Sequence, residues 1–142
     1  MIPGVNIQWP WSELLLSGEK TVETRSYPLP KKYENEWLAV IETPGPRGRK
    51  EAGIEKARIT GVIKFSTSFR YRTKREWLAD YGRHCVEDGD PQFGFATGKE
   101  KWGWLVSDYY LFKQICPPPQ KRGIIFASRC QLPYHVQRDF AR

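Results

Sequence analysis

Residues 18–27, GEKTVETRSY, alternate as a strand does, but they put charge where a strand usually packs. Side chains along a strand point to opposite faces in turn. Val22 and Thr24 share one face. Glu23, Arg25 and Tyr27 share the other. Glu23 and Arg25 are then about 7 Å apart along the strand. A carboxylate and a guanidinium on a packed face need each other or a ligand. On a surface ladder the same pair is commonplace and contributes little. Lys20 follows Gly18 and Glu19 at a helix-to-strand corner. Strict alternation sends it away from Glu23, whereas a turn at Gly18 can aim it inward. Three charged groups converging on one pocket suit a planar, polar ligand such as a nucleobase or an acyl amide.

Around this stretch, GVNIQW (residues 4–9) alternates as a short strand, and Pro10 suits the first turn of a helix. Trp11, Leu14 and Leu15 give that helix an apolar stripe, and Gly18 is a natural stop. EWLAVIET (36–43) is a strongly apolar strand, and PGPRGRKEAG (44–53) reads as loop. In the long strand 57–69, Ile59, Gly61, Ile63 and Phe65 share a face, with Gly61 marking a bend or bulge. Thr73 and Glu76 form a capping box. The helix after them is expected to bury Trp77, Leu78 and Tyr81. Residues 86–101 read as a loop rich in glycine and acid. Strands at 102–112 and 124–132 follow, and the tail from 133 reads as peripheral. The sum is an α+β chain of about six strands and two or three short helices. This spacing predicts a small barrel or curled sheet.

The 142 residues predict a single domain, 1–142. No run approaches the length of a membrane span, and the N-terminus has no signal-peptide pattern. Cys85, Cys116 and Cys130 are odd in number and irregular in spacing, which disfavours a disulfide framework. His84 and His135 do not sit at zinc-ligand spacings, and both read as structural or exposed. The expectation is a reduced, cytoplasmic protein without metal or cofactor. No histidine lies near Ser107 and Asp108 to complete a hydrolase triad.

The net charge of +7 is localised. Residues 31–75 hold 12 Lys/Arg against 5 Asp/Glu, and the remainder is balanced at 11 of each. Arg47, Arg49, Lys50, Arg70, Arg72, Lys74 and Arg75 form the clusters. Such clusters attract polyanions, most often nucleic acid, or they simply solvate a face.

The segment IQWPWSELLLSGEKTVETRSYPLP resembles the N-terminal signature of the ASCH domain family (activating signal cointegrator-1 homology). The family motif G-x-K-x-x-[ET]-x-R matches Gly18, Lys20, Glu23 and Arg25 without gaps. GVIKF, GWLVSDYYLF and PPPQKRGI resemble later family segments, so the resemblance spans roughly residues 5–128. It implies a PUA-like β-barrel in a small standalone member, with a cleft holding the lysine, glutamate and arginine. It also implies RNA or a modified nucleoside as partner.

One family branch resembles an amidohydrolase acting on N4-acetylcytidine with a Lys, Thr and Glu set, and another has been described as a ribonuclease. This chain departs from the first branch, because Glu23 stands at the threonine position. Thr24 is one step off, which reverses its face. The later glutamate has no secure counterpart, with Glu87 as a candidate.

Bottom-up roles follow from the groups themselves. Lys20 donates to a carbonyl or phosphate oxygen, or acts as base if burial lowers its pKa. Glu23 accepts from an exocyclic amine or serves as general base. Arg25 holds Glu23 or clamps a phosphate. Trp9 and Trp104 are candidate stacking surfaces, while Trp11, on the helix stripe, reads as core. A binder, a hydrolase using Lys20 and Glu23, and a protein-interaction module remain the three readings.

Overall fold

The computed structural model describes residues 1–134 and 136; the tail outside these includes His135. Among the described residues six strands and four helices form, in the order β1 (Ile2–Gln8), α1 (Trp11–Ser17), β2 (Val22–Arg25), β3 (Trp37–Thr43), α2 (Gly45–Glu51), β4 (Arg58–Tyr71), α3 (Lys74–Ala79), α4 (Tyr81–His84), β5 (Lys101–Cys116) and β6 (Phe126–Cys130). A 3₁₀ turn at Lys31–Tyr33 leads into β3. No helix among the described residues is long and apolar enough to cross a membrane.

All six strands belong to one sheet, ordered β2-β5-β4-β3-β1-β6. β1 and β3 run parallel, and the other neighbours are antiparallel. The sheet is α+β as expected, but it is not the closed barrel that the strand spacing suggested. Its edges, β2 and β6, share no ladder. The sheet still curls far enough for its far ends to meet by side chain. Trp104 of β5 stacks on Phe126 of β6, with centroids 6.0 Å apart and planes at 3°.

Both faces of the sheet are covered, which explains why EWLAVIET is so uniformly apolar. Leu38 and Val40 enter the inner cluster with Ile7, Leu15, Val22, Phe65, Trp77 and Trp104. Ala39 and Ile41 enter an outer cluster with Ile59, Val62, Phe112 and Cys130. Simple alternation along β4 fails at one point. Ile59 packs in the outer cluster, but Ile63 and Phe65 pack in the inner one. The inversion comes from a register shift: Val40 faces Gly61 and Ile41 faces Ile59, leaving Thr60 as the extra residue. A bulge adds one residue and swaps the faces beyond it. Gly61 is required there, because a Cβ would lie 2.4 Å from the Tyr110 carbonyl oxygen and 2.8 Å from Leu16 Cδ1.

Two further expectations change. Residues 45–51 form α2 rather than loop. Their prolines fall at or just before the first turn, where they are tolerated, and buried Gly48 lets the helix approach Trp9. A Cβ on Gly48 would sit 3.4 Å from that of Trp9. Half of the capping box forms: Thr73 Oγ1 accepts from Glu76 N, but Glu76 Oε2 reaches one residue past the N-cap and accepts from Arg72 N. The helix it starts is short, however, and buries only Trp77 of the expected stripe. Leu78 and Tyr81 are exposed, because α3 stops at Ala79 and α4 sets off from Tyr81.

The bulge yields a direct test. Gly61→Ala should lower stability by about 1–3 kcal/mol through overpacking, read from urea denaturation. Unchanged stability would show that the close approach at Tyr110 is not a constraint.

Candidate functional site

The turn after α1 decides where Lys20 points. Gly18 ends the helix in the left-handed region, φ 86°, and its N–H donates to the Leu15 carbonyl (3.3 Å). Lys20 N then donates to Leu14 O (3.0 Å), and Thr21 N to Arg83 O (2.9 Å). This wraps the corner so that the Lys20 side chain turns inward and is wholly buried. Its ammonium donates to the His84 carbonyl, lies 3.7 Å from Glu23 Oε1, and stands 5.3 Å from the Trp11 ring centroid.

His84 makes a fixed anchor for that carbonyl. It is buried, stacks on Trp77 at 4.6 Å, and accepts from Val86 N at Nδ1 (3.0 Å). Nε2 therefore carries the proton and donates to Trp77 O (2.7 Å). Its role is structural.

Glu23 is nearly buried, and Arg25 occupies most of its second oxygen. Arg25 Nε and Nη2 donate to Glu23 Oε2 (3.2 and 2.9 Å). Nη2 also donates to the Asn6 carbonyl of β1 (2.7 Å), and Nη1 to the Tyr27 hydroxyl (3.1 Å). The guanidinium lies over the Trp104 ring at 5.2 Å. All but one of its N–H groups are thus engaged. Arg25 holds Glu23 and straps edge strand β2 to β1, which leaves little of it for a phosphate.

Electrostatics differ between the two cations. Burial pushes the Lys20 ammonium below its ordinary value, with Glu23 only partly offsetting the desolvation. Burial acts against Arg25 as well, but there Glu23 and Tyr27 prevail and hold its pKa above the usual value. Arg25 stays a fixed charge, while Lys20 is the group whose proton is loosened.

These groups open into a cavity of about 620 Å³. Trp11, Tyr27 and Phe93 supply aromatic wall, and Asn6, Gln8, Thr24, Lys101 and Arg122 add polar groups. Trp11 and Phe93 meet edge to face, 5.8 Å between centroids. Among the described residues, Glu23 Oε1 accepts only from Thr24 N (3.2 Å) besides its contact with Lys20. A donor, Lys20, and an acceptor, Glu23, therefore stand side by side at the cavity floor.

The sequence-derived residues divide accordingly. Lys20, Glu23 and Arg25 converge as the motif suggests. Trp104 does not line the cavity, and its indole N–H donates to Tyr27 O (3.1 Å). Trp9 does not line it either. Its N–H donates to Glu13 (3.0 Å), and Arg47 covers its ring at 5.8 Å. The aromatic wall instead uses Trp11, which the helix stripe marked as core, and Phe93, which lies in the acid-rich loop.

The basic residues are exposed but form two groups. Arg47, Arg49 and Lys50 lie on α2, before the start of β4. Arg70, Arg72, Lys74 and Arg75 lie at its far end. Several have acidic neighbours: Arg47 with Glu51 (2.9 Å), Arg70 with Glu100 (3.7 Å) and Lys74 with Asp88 (3.2 Å). Glu87, the candidate later glutamate, is exposed, accepts from the Tyr81 hydroxyl and does not line the cavity.

No family model and no curated protein sequence matches the chain. Solved structures do. An ASCH protein from Zymomonas mobilis superposes with a TM-score of 0.60 at 14% identity, covering 98% of this chain and 92% of that one. A serine-to-alanine variant of it gives 0.63 at 13% identity over 98% and 93%. A tyrosine-to-phenylalanine variant gives 0.62 at 14% identity over 98% and 95%. The chain has the ASCH fold along nearly its whole length.

Two outcomes follow from the geometry. Arg25→Lys keeps the charge but loses the planar fork, so it should cost about 1.5–3 kcal/mol in chemical denaturation; a neutral result would remove the strap role. Lys20 binds its proton more weakly folded than unfolded. Wild-type stability should therefore rise with pH between its lowered pKa and the ordinary 10.5. The stability difference between Lys20→Met and wild type should move in favour of wild type across that alkaline interval. A difference constant with pH would show Lys20 to be unperturbed.

Proposed function

We propose that this chain is a member of the ASCH family that binds RNA or a modified nucleoside, with the base edge at Lys20 and Glu23. One observation carries the reading. A buried donor–acceptor pair, Lys20 and Glu23, stands at the floor of a 620 Å³ cavity walled by aromatic rings. Nucleobases and amides present a carbonyl beside an N–H in one plane. Lys20 donates to the carbonyl, Glu23 Oε1 accepts from the N–H, and the ring lies against Trp11 and Phe93. Arg25 fixes the carboxylate and is a positioning residue. The exposed bases on α2 and around the start of α3 attract the backbone as two separate patches rather than one track.

A hydrolase is the second reading, and a different observation favours it. Lys20 is a desolvated lysine whose pKa burial lowers in spite of Glu23 at 3.7 Å, and a lowered pKa is what a lysine base requires. An amide or phosphodiester bound at Glu23 would then be substrate rather than ligand.

The test is tryptophan fluorescence titration with a short single-stranded RNA and with N4-acetylcytidine, using wild type and Glu23→Gln and analysing the products. The near-isosteric variant should bind about tenfold more weakly or worse, with both compounds recovered intact. Turnover by wild type alone would establish the enzyme reading. Equal binding by both proteins, with a lowered melting temperature for the variant, would leave the motif as a structural brace and defeat the proposal.

A further inference from the structure

The cavity carries more positive charge than its floor uses. Glu23 is matched by Arg25 at 2.9 Å and approached by Lys20 at 3.7 Å. Two more cations border the same space, Lys101 and Arg122. Neither has a carboxylate within ion-pair distance among the described residues. Lys101, at the start of β5, is half-buried, and its ammonium donates to the Phe93 carbonyl (3.0 Å). Burial lowers its pKa, with Glu23 and Asp90 opposing from a distance. Asp90 Oδ1 already accepts from the N–H groups of Gln92 and Phe93 (2.9 and 2.7 Å).

Arg122 is exposed and lines the same cavity. The chain immediately after it is pinned, because Asn6 Nδ2 donates to Gly123 O (2.8 Å) and Ile124 O (3.0 Å). Arg25 holds the carbonyl of that same Asn6. Both extra cations are therefore mounted on groups that already shape the cavity.

Their placement sorts a ligand by charge. An anion at the floor would meet the Glu23 carboxylate, so the floor suits a neutral polar edge. An anion at Lys101 and Arg122 meets two cations with no acid in ion-pair contact with either among the described residues. A cavity of 620 Å³ also leaves room beyond one base. We infer that the site takes a nucleotide rather than a free nucleoside, with the base at Lys20 and Glu23 and its phosphate against Lys101 and Arg122. This rests on the base-binding reading above. The phosphate belongs either to a free mononucleotide or to a link in an RNA chain, and the chemistry at the two cations is the same.

The experiment compares dissociation constants for the four ribonucleosides, their 5′- and 3′-monophosphates and a short RNA. Proteins are wild type, Lys101→Met and Arg122→Gln, with inorganic phosphate as competitor. In wild type the preferred monophosphate should bind about tenfold tighter than its nucleoside or better, the worth of one charge-assisted hydrogen bond. That ratio should fall toward one in both variants and shrink with added salt for wild type. Tighter binding of the RNA than of any monophosphate assigns the phosphate to a chain; the reverse assigns it to a free nucleotide.

Equal affinity for nucleoside and nucleotide, or a preference unchanged in both variants, overturns the inference and leaves base binding standing. No binding of any of these compounds overturns base binding as well.

Discussion

Arg25 is the hinge of the whole arrangement. The sheet curls but its edge strands do not pair, so β2 has β5 on one side and an open seam on the other. A single guanidinium spans that seam, donating to Glu23 on its own strand and to the Asn6 carbonyl on β1. Arginine does this because its fork is planar, permanently charged and rich in donors. The cavity exists because the seam is strapped by side chains rather than sealed by a ladder. A closed barrel would have filled this space with backbone hydrogen bonds.

Two kinds of constraint set the shape behind that seam. One is the bulge at Thr60 and Gly61, which turns the residues of β4 over and lets one strand serve the outer core at one end and the inner core at the other. The other is the corner at Gly18, which breaks strand alternation so that Lys20 and Glu23 reach the same cavity. Each rests on a glycine, used for close approach in one case and for positive φ in the other. The buried charges are balanced locally: the Lys20 ammonium has a carbonyl and a carboxylate, and Glu23 has Arg25. Breaking any one contact would strand a charge away from water, which is far more costly than the net worth of the pair.

The structural likeness to ASCH proteins at 13–14% identity concerns the fold. The short motif and the fold point the same way independently, one through residue types and the other through topology. What the site can recognise follows from its own groups. It has a donor beside an acceptor at the floor, aromatic surface on the walls, and spare cations in its lining.

Much of this was legible in the chain. Periodicity marked the strands, Gly18 and the Thr73–Glu76 box marked helix ends, and a charged pair on an otherwise strand-like face marked the site. Those signals are local, acting over a few residues, so they survive without the rest of the fold. Others were not legible. α2 was hidden because Pro44, Gly45, Pro46 and Gly48 read as loop, whereas its prolines fall at the start of the helix and Gly48 is buried close to Trp9.

Trp11 and Trp104 exchanged expected places for the same reason: a helix stripe or a neighbouring glycine says that a ring is packed, not which side of it stays open. Phe93 and Arg122 come from loops with no periodic pattern at all. Sequence alone determined the strand-rich α+β character and put Lys20, Glu23 and Arg25 forward as a candidate set. Tertiary structure decided that the sheet stays open, that Lys20 turns inward, and which rings and cations face the cavity, because these depend on contacts between residues many positions apart.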